Sequence, residues 1–200
     1  MADEKRVRLA PEERREQLIQ IGVRMLAGAR IEDLSVEAIA REAGISRGLL
    51  FHYFESKQDF QLAIAERVAE DLYAAISLPS EGSVDAQLRS ALGRYVDHVS
   101  LGPELYVSMV RGAMAGDGQM RALGDRTRRR IVDVLLERCR ELGLQPAAYG
   151  EIGAYAWIAL NEELVTQWLR DPAVSRDELI DLMIAPLPGL IGIAPIPATP

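Results

Sequence analysis

Apolar residues recur along most of this chain at i, i+3, i+4 and i+7, the spacing of one face of an α-helix. Short segments rich in Gly, Pro and Ser interrupt this pattern, and alternating runs of β-branched or aromatic residues are nearly missing. The pattern therefore predicts an all-α protein. The predicted helices cover residues 11–26, 36–43, 47–54, 56–76, 84–100, 103–114, 119–142, 147–169 and 176–184.

The first predicted helix has an apolar stripe formed by Leu18, Ile21 and Met25, and Gly22 lies on the same face. Because glycine has no side chain, we expect a neighbouring helix to approach closely there. At the other end of the chain, residues 186–200 hold five of the ten prolines. Proline lacks the backbone N–H that a helix interior needs, so this tail is predicted to be a non-helical, loose extension.

The composition is that of a folded protein of one large or two small domains. Of its 200 residues, 48% are hydrophobic and 26% are charged, which excludes a disordered chain. No run reaches the roughly 18 apolar residues that a membrane span needs, and no secretory segment is present, so we expect a cytoplasmic protein without membrane partners.

The sequence offers no candidate for catalysis or metal binding. Cys139 is the only cysteine, and neither it nor His98 has a partner at metal-ligand spacing. Gly-rich phosphate loops, nucleophile elbows and metal-binding His pairs are missing from the sequence. We therefore expect no enzyme, no cofactor and no metal.

Residues 35–57, SVEAIAREAGISRGLLFHYFESK, have the layout of a helix-turn-helix. Ser35 and Ser46 are good N-caps for the two short helices. On the second helix, Leu50 and Phe54 fall close together, whereas His52 points roughly the opposite way. This second helix is therefore a candidate for insertion into a DNA major groove.

The exposed side of that helix carries groups that suit a groove. Arg47 can reach a guanine edge or a phosphate, and Leu49 can contact a thymine methyl. Leu49, Leu50 and Phe51 are consecutive, so they cannot all face one core. For Leu49 and Phe51, packing between the helices is the alternative to DNA contact.

The segment resembles the DNA-binding domain of the TetR family of transcriptional regulators. The resemblance covers residues 11–65 and includes the Ser-Val-x-x-Ile-Ala-x-x-Ala-Gly-Ile-Ser run, the Tyr53-Phe54-x-x-Lys57 ending and the long helix that follows. The DNA-binding candidates are Ser35, Ser46, Arg47, Gly48, Leu49, Phe51, His52, Tyr53 and Lys57. Two of these residues differ from the usual family pattern. Leu49 stands where the family commonly has a small or hydroxylated residue, and Phe51 stands where Tyr is usual. These differences affect the operator sequence that we expect the protein to bind.

The resemblance divides the chain into a DNA-binding domain over 1–57, a helical ligand-binding and dimerisation domain over 58–185, and the Pro-rich tail over 186–200. It implies a homodimer, formed by the predicted helices 147–169 and 176–184, that binds a palindromic operator. It also implies a small-molecule effector, which we expect to be largely apolar, and repression that the effector relieves.

The larger domain holds more aromatic and Met residues than DNA binding requires. Core packing explains any one of them, but as a group they could line an apolar cavity between helices. The pocket candidates are Tyr73, Tyr95, Tyr106, Met109, Met114, Trp157, Asn161 and Trp168. The alternative to a pocket role is a place in a dimer seam or on a solvated face, and it applies to Asn161, Glu162 and Glu163. The arginines at 126, 129 and 130 are read as a solvated face.

The charge distribution favours the DNA-binding interpretation. The chain has a net charge of −7, which argues against nucleic-acid binding when it is taken as a whole. Residues 1–57, however, hold ten basic and ten acidic side chains, so the whole excess of negative charge falls in 58–200. Lys5, Arg6 and Arg8 form a basic arm that could add DNA contacts.

Two other functions stay open from the sequence. One is a helical ligand-binding or interaction protein that does not bind DNA, against which the basic and aromatic residues of the helix-turn-helix argue. The other is a cofactor-free helical enzyme that uses a buried Glu162 or Glu163.

Overall fold

The protein is described by a computed structural model over residues 10–77, 81–114 and 118–196. These residues form ten α-helices and no strand. The helices are α1 Pro11–Met25, α2 Val36–Glu42, α3 Arg47–Tyr53, α4 Lys57–Ala75, α5 Val84–Ser100, α6 Pro103–Met114, α7 Gly118–Glu141, α8 Gly150–Arg170, α9 Arg176–Ile184 and α10 Leu187–Ile191. The predicted all-α fold is confirmed, and a 3-10 turn at Ile31–Asp33 is the main addition between predicted helices.

The first core lies between α1, α2, α3 and the start of α4, and Leu105 of α6 with Met120 and Leu123 of α7 also pack into it. Leu18, Leu50 and Phe60 are completely buried in it, and the rings of Phe54 and Phe60 lie 4.4 Å apart, centroid to centroid. The predicted close approach at Gly22 is present: a Cβ built there would lie 2.4 Å from Cδ1 of Ile64. Met25, predicted to belong to the apolar stripe, is instead 43% exposed.

The second core lies among α5, α7, α8, α9 and α10. Its buried residues include Val96, Val132, Ala154, Val165 and Met183. The helix α4 joins the two cores, because its first half packs in the first core and Leu72 packs against the second. A movement of α4 would therefore act on both cores.

The predicted loose tail is wrong for residues 187–191, which form α10 against α8. Pro188 lies in the first turn of this helix, where a missing backbone N–H costs nothing. Leu187 and Ile191 are one helical turn apart and both are buried, so burial of apolar surface outweighs the prolines. Gly192 then ends the helix with a left-handed φ of 72°.

The helices α8 and α10 approach closely at Gly153, where an added Cβ would lie 1.9 Å from the carbonyl oxygen of Leu190. The backbone N–H of Ala147 donates to the carbonyl oxygen of Ile191 at 2.9 Å. This bond holds the residues before α8 in a turn, which is why α8 begins at Gly150 and not at the predicted residue 147.

No helix in the described ranges has the length and apolar character needed to cross a bilayer.

Candidate DNA-binding surface and ligand cavity

The two short helices α2 and α3 are fixed by their caps and by the first core. Oγ of Ser35 accepts from the backbone N–H of Ala38 at 3.2 Å, and Oγ of Ser46 accepts from that of Leu49 at 3.1 Å. Gly44 makes the turn between the helices with a φ of 65°, which glycine adopts without strain. Both predicted N-caps are thus present.

The outer side of α3 is open to solvent. Arg47, Gly48 and His52 are exposed, and Leu49 is 40% exposed. For Leu49 the structure therefore favours an outward position over packing. Phe51 is half-buried against the first core.

Two side chains on the inner side of α3 explain this orientation. Leu50 is 0% and Phe54 is 1% exposed, and they anchor the helix in the first core. Tyr53 is half-buried beside them, and its ring meets that of His52 edge-on at 5.5 Å, centroid to centroid. The short helix is thus held by one face while the other remains free for a partner.

The basic groups on this surface already have partners. Arg47 Nη1 lies 3.1 Å from Oε1 of Glu37 on α2, and its guanidinium lies 5.5 Å from the centroid of the Phe51 ring. Nζ of Lys57 donates to the carbonyl oxygen of Glu32 at 3.1 Å. Exposed ion pairs contribute little free energy, so Arg47 can exchange Glu37 for phosphate. The exposed hydrogen bond of Lys57 leaves its positive charge without an opposite charge, so Lys57 can turn to phosphate as well. The basic arm Lys5, Arg6 and Arg8 lies outside the described residues.

A cavity of about 550 Å³ lies between the helices that follow. Its wall is mostly apolar, formed by side chains of α4 to α8 such as Leu72, Leu92, Met109, Ile131 and Trp157. The volume falls within the range of about 300–1,000 Å³ that is usual for small-molecule pockets.

Six of the eight pocket candidates line this cavity: Tyr73, Tyr95, Tyr106, Met109, Trp157 and Asn161. Trp168 is placed elsewhere, and its indole N–H donates to the carbonyl oxygen of Val174 at 2.8 Å in the turn after α8. Trp168 falls eleven residues, about three helical turns, beyond Trp157 on α8, which carries it past the end of the cavity. The side chain of Met114 lies outside the described residues.

Tyr95 of α5 and Tyr106 of α6 bring their hydroxyls together in a hydrogen bond. Burial raises the pKa of Tyr95 well above its usual value, and burial likewise raises the pKa of Tyr106. Both phenols are therefore neutral at physiological pH.

An ion pair in the same wall was not predicted from the sequence. Nε and Nη2 of Arg128 donate to the carboxylate of Glu162 at 2.8 to 3.2 Å. The Glu162 carboxylate raises the pKa of Arg128. Arg128 lies three residues before Ile131, on the inward side of α7, and was not among the arginines predicted to form a solvated face. Arg126 and Arg130 do lie on the exposed side, where they pair with Glu66 and Glu70 of α4.

A hydrogen-bonded link connects the cavity wall to the helix-turn-helix. The backbone N–H of Ile31 donates to Oγ of Ser108 on α6 at 3.1 Å, and that hydroxyl donates to the carbonyl oxygen of Leu105 at 2.9 Å. Nε2 of Gln61 on α4 donates to the carbonyl oxygen of Ile31 at 2.7 Å. The turn just before α2 is thus held by both α4 and α6, the helices that line the cavity.

An apolar strip lies on the outside of α8 and α9. Ile152 is 75% exposed, Leu160 is 38% exposed and Leu182 is 50% exposed. Ala156 lies between Ile152 and Leu160 on the same helix face and is also exposed. Gly153, on another face of α8, packs against α10 of the same chain.

In the described part of the chain, neither Cys139 nor His98 lines the cavity. Cys139 is buried in the second core, and burial raises the pKa of its thiol. No group of three or more metal-ligating side chains is present among the described residues.

Two family models match the chain. The model described as bacterial regulatory proteins, tetR family, matches residues 19–64. The model described as Tetracyclin repressor-like, C-terminal domain, matches residues 84–187. The two matches cover the helix-turn-helix and the helices around the cavity.

Individual relatives agree with these models. An uncharacterized HTH-type transcriptional regulator of Mycobacterium tuberculosis is 30% identical over 156 residues, which cover 75% of this chain and 65% of the relative. The chain thus spans just under two thirds of that relative's length. The HTH-type transcriptional regulator BetI of Escherichia coli is 27% identical over 165 residues, 78% of this chain and 81% of the relative.

The crystal structure of a tetR-family transcriptional regulator from Streptomyces coelicolor is similar in fold and sequence. It superposes with a TM-score of 0.80 at 30% identity, and the match covers 91% of this chain and 82% of that one.

Proposed function

Because the chain belongs to the TetR family of bacterial transcriptional regulators, we propose that it is a repressor that binds a palindromic operator as a homodimer and is released by a small-molecule effector. The family consists of DNA-binding regulators and not of enzymes. A regulator of this kind works beside the chromosome, in the cytoplasm.

The observation that carries the proposal is the exposed outer side of α3 on a rigid base. Arg47, Leu49 and His52 point away from the first core, while Leu50 and Phe54 hold the helix in it. In this arrangement Arg47 contacts a guanine or a phosphate, Leu49 contacts a thymine methyl, and His52 donates to a phosphate or base acceptor.

Four further residues position the helix on the DNA backbone. Ser35 and Ser46 use only their oxygen lone pairs in capping, so each hydroxyl hydrogen is available for a phosphate oxygen. Lys57 lies at the N-terminus of α4, where the helix dipole also favours an anion. Gly48 lets the backbone of α3 approach the DNA, because no side chain stands between them.

The dimer is proposed to form through the apolar strip on α8 and α9. A second copy that covers this strip removes exposed apolar surface from water, which stabilises the dimer. The side chains covered are those of Ile152, Leu160 and Leu182. A two-fold axis through this surface would present two α3 helices to successive major grooves, about 34–36 Å apart.

The effector is proposed to act through α4 and α6. Both helices line the cavity and both hold Ile31, directly before α2. A ligand that favours a different position of α6 would move Ser108, and with it the turn that precedes the helix-turn-helix. Operator affinity then falls by the difference in the ligand's binding free energy between the two arrangements.

A gel-shift assay at fixed salt with an operator selected from genomic fragments tests the proposal. We expect the double variant Arg47→Ala, His52→Ala to bind at least tenfold more weakly, since each base or phosphate contact contributes about 1–3 kcal/mol. Arg129→Ala on α7, also an exposed arginine, is the matched control for loss of charge and should bind as the parent does.

Unchanged affinity of the double variant would show that α3 is not the recognition helix. If no genomic fragment is bound at all, the alternative of a helical ligand-binding or interaction protein without DNA binding takes its place.

A further inference from the structure

Charge inside the cavity is neutralised by the wall itself. Arg128 and Glu162 form a bidentate pair with three donor–acceptor distances of 3.2 Å or less. A ligand carboxylate would have to compete with Glu162 for Arg128, and a ligand ammonium would have to compete with Arg128 for Glu162. Either exchange leaves one half-buried charge without its partner, which is costly.

The charges at the rim are paired as well. Arg138 donates to Oε1 of Gln87 at 2.9 Å and to Glu141 at 2.8 Å, while Glu137 accepts from Arg140 at 2.7 Å. Every charged side chain that lines the described part of the cavity therefore has an opposite charge beside it. The wall as a whole favours an uncharged ligand.

The cavity wall does contain a polar group whose hydrogen-bonding capacity is unused. Asn161 lines the cavity and is only 4% exposed, and its Oδ1 has no hydrogen-bond partner among the described residues. A buried oxygen without a donor costs about 1–3 kcal/mol. A ligand that donates a hydrogen bond to this oxygen, once the amide turns towards the cavity, would recover this free energy.

The tyrosine pair supplies the complementary group. Two neutral phenols hold two hydroxyl hydrogens, and their mutual bond uses one of them. The second hydrogen is available to an acceptor atom. Tyr95, Tyr106 and Asn161 all line the same cavity.

We propose that the ligand of this cavity is an uncharged, largely apolar molecule that carries a hydroxyl group, which donates to Asn161 and accepts from the Tyr95–Tyr106 pair. A hydroxyl is both donor and acceptor and so matches both unused capacities, while the apolar side chains of α4 to α7 hold the rest of the molecule. This assignment rests on the proposed function only in taking the ligand to be the effector.

Four probes with the same ten-carbon chain test the assignment on the full-length protein: decan-1-ol, decyl methyl ether, decanoate and decylammonium. Their affinities are measured by displacement of the fluorescent dye N-phenyl-1-naphthylamine. We expect decan-1-ol to bind about tenfold more tightly than each of the other three, the factor that corresponds to one hydrogen bond or one disturbed ion pair. Equal or tighter binding of the ether or of either ion overturns the proposal, and so does the absence of binding by every probe.

Variants then locate the hydroxyl. Asn161→Leu keeps the volume and removes the amide, so the preference for decan-1-ol over the ether should fall to about threefold or less while the dye still binds. Thr166→Val is the matched control, because Thr166 also lies on α8 with a buried Oγ1 that has no partner among the described residues and does not line the cavity. The control should keep the full preference; loss of preference in both variants, or in neither, contradicts the proposal.

The role as effector is measured separately, by gel shift with and without decan-1-ol. Tight binding of decan-1-ol without any change in operator affinity would leave the ligand class intact and overturn only the release step. A protein that binds the operator but prefers the charged probes would overturn the proposed ligand class and leave the proposed DNA binding intact.

Discussion

The core beneath α3 and the core around the cavity contain similar side chains but are packed in different ways. In the first, Leu18, Leu50 and Phe60 are fully buried, and even the Cβ of an alanine at Gly22 would meet Ile64. In the second, Leu92 and Trp157 border about 550 Å³ of unfilled space.

The difference follows from what each region presents to a partner. A recognition helix of seven residues has too few internal hydrogen bonds to hold its own shape, so a filled core has to orient it. A cavity wall has to keep part of its apolar surface uncovered. The charges of Arg128 and Glu162 in this wall neutralise each other. The first region is therefore expected to be the more sensitive of the two to loss of volume.

Matched leucine truncations give the largest expected effect. Leu18→Ala should lower the free energy of unfolding by about 4 kcal/mol, whereas Leu92→Ala should lower it by about 2 kcal/mol, because Leu92 already borders empty space and loses fewer contacts. Urea unfolding at one protein concentration measures both. Equal losses would mean that the cavity is filled in solution.

The ion pair in the cavity wall gives the next largest effect. Arg128→Met leaves the Glu162 carboxylate half-buried without its partner, and should cost about 2 kcal/mol of unfolding free energy, less than for a fully buried pair. The double variant Arg128→Met, Glu162→Leu should regain most of that loss. A double variant as unstable as the single one would show that the arginine stabilises the fold through its packing.

A substitution at Gly48 on α3 is expected to change stability and DNA binding in opposite directions. A Cβ at this position would meet nothing closer than Oγ of Ser46 at 3.9 Å. Gly48→Ala should therefore stabilise the protein by about 0.5–1 kcal/mol, since alanine loses less backbone entropy in a helix. Operator affinity should fall at the same time, because the methyl group would stand between backbone and DNA. A gel shift with unchanged affinity would place Gly48 away from the interface.

Alkaline titration gives the smallest effect, in the second core. Burial raises the pKa of Tyr95 and of Tyr106, so above about pH 10 the unfolded chain loses these protons before the folded one does. The free energy of unfolding should thus fall as the pH rises from about 10 towards the folded pKa values. Tyr106→Phe should make this fall shallower between urea unfolding curves at about pH 9 and about pH 11. A slope equal to that of the parent would contradict burial of the phenol.

The helices and the exposed side of α3 were largely predictable because their causes are local. The caps at Ser35 and Ser46, the breaker at Gly44 and the apolar positions Leu50 and Phe54 act within one or two turns. Short-range signals of this kind can be read from the order of the residues.

The missed features depend on contacts between distant segments. The helix α10 forms because Leu187 and Ile191 are buried against α8, some forty residues earlier, and local proline content points the other way. Arg128 looks like its neighbours in the sequence until Glu162, 34 residues later, is placed beside it. Trp168 is of a residue type that is common in ligand pockets. Its position on α8, about three turns beyond Trp157, places it past the end of the cavity.

The interleaved faces of α8 bear on how such a regulator can diverge. Leu160, on the proposed dimer strip, and Asn161, in the cavity wall, are successive residues about 100° apart around the helix. After gene duplication, one copy can change its effector through a substitution at Asn161. Leu160 would still allow that copy to dimerise with the original protein. Mixed dimers that respond to two chemicals would then arise before the copies separate, and separation would require substitutions on the other face of the same helix.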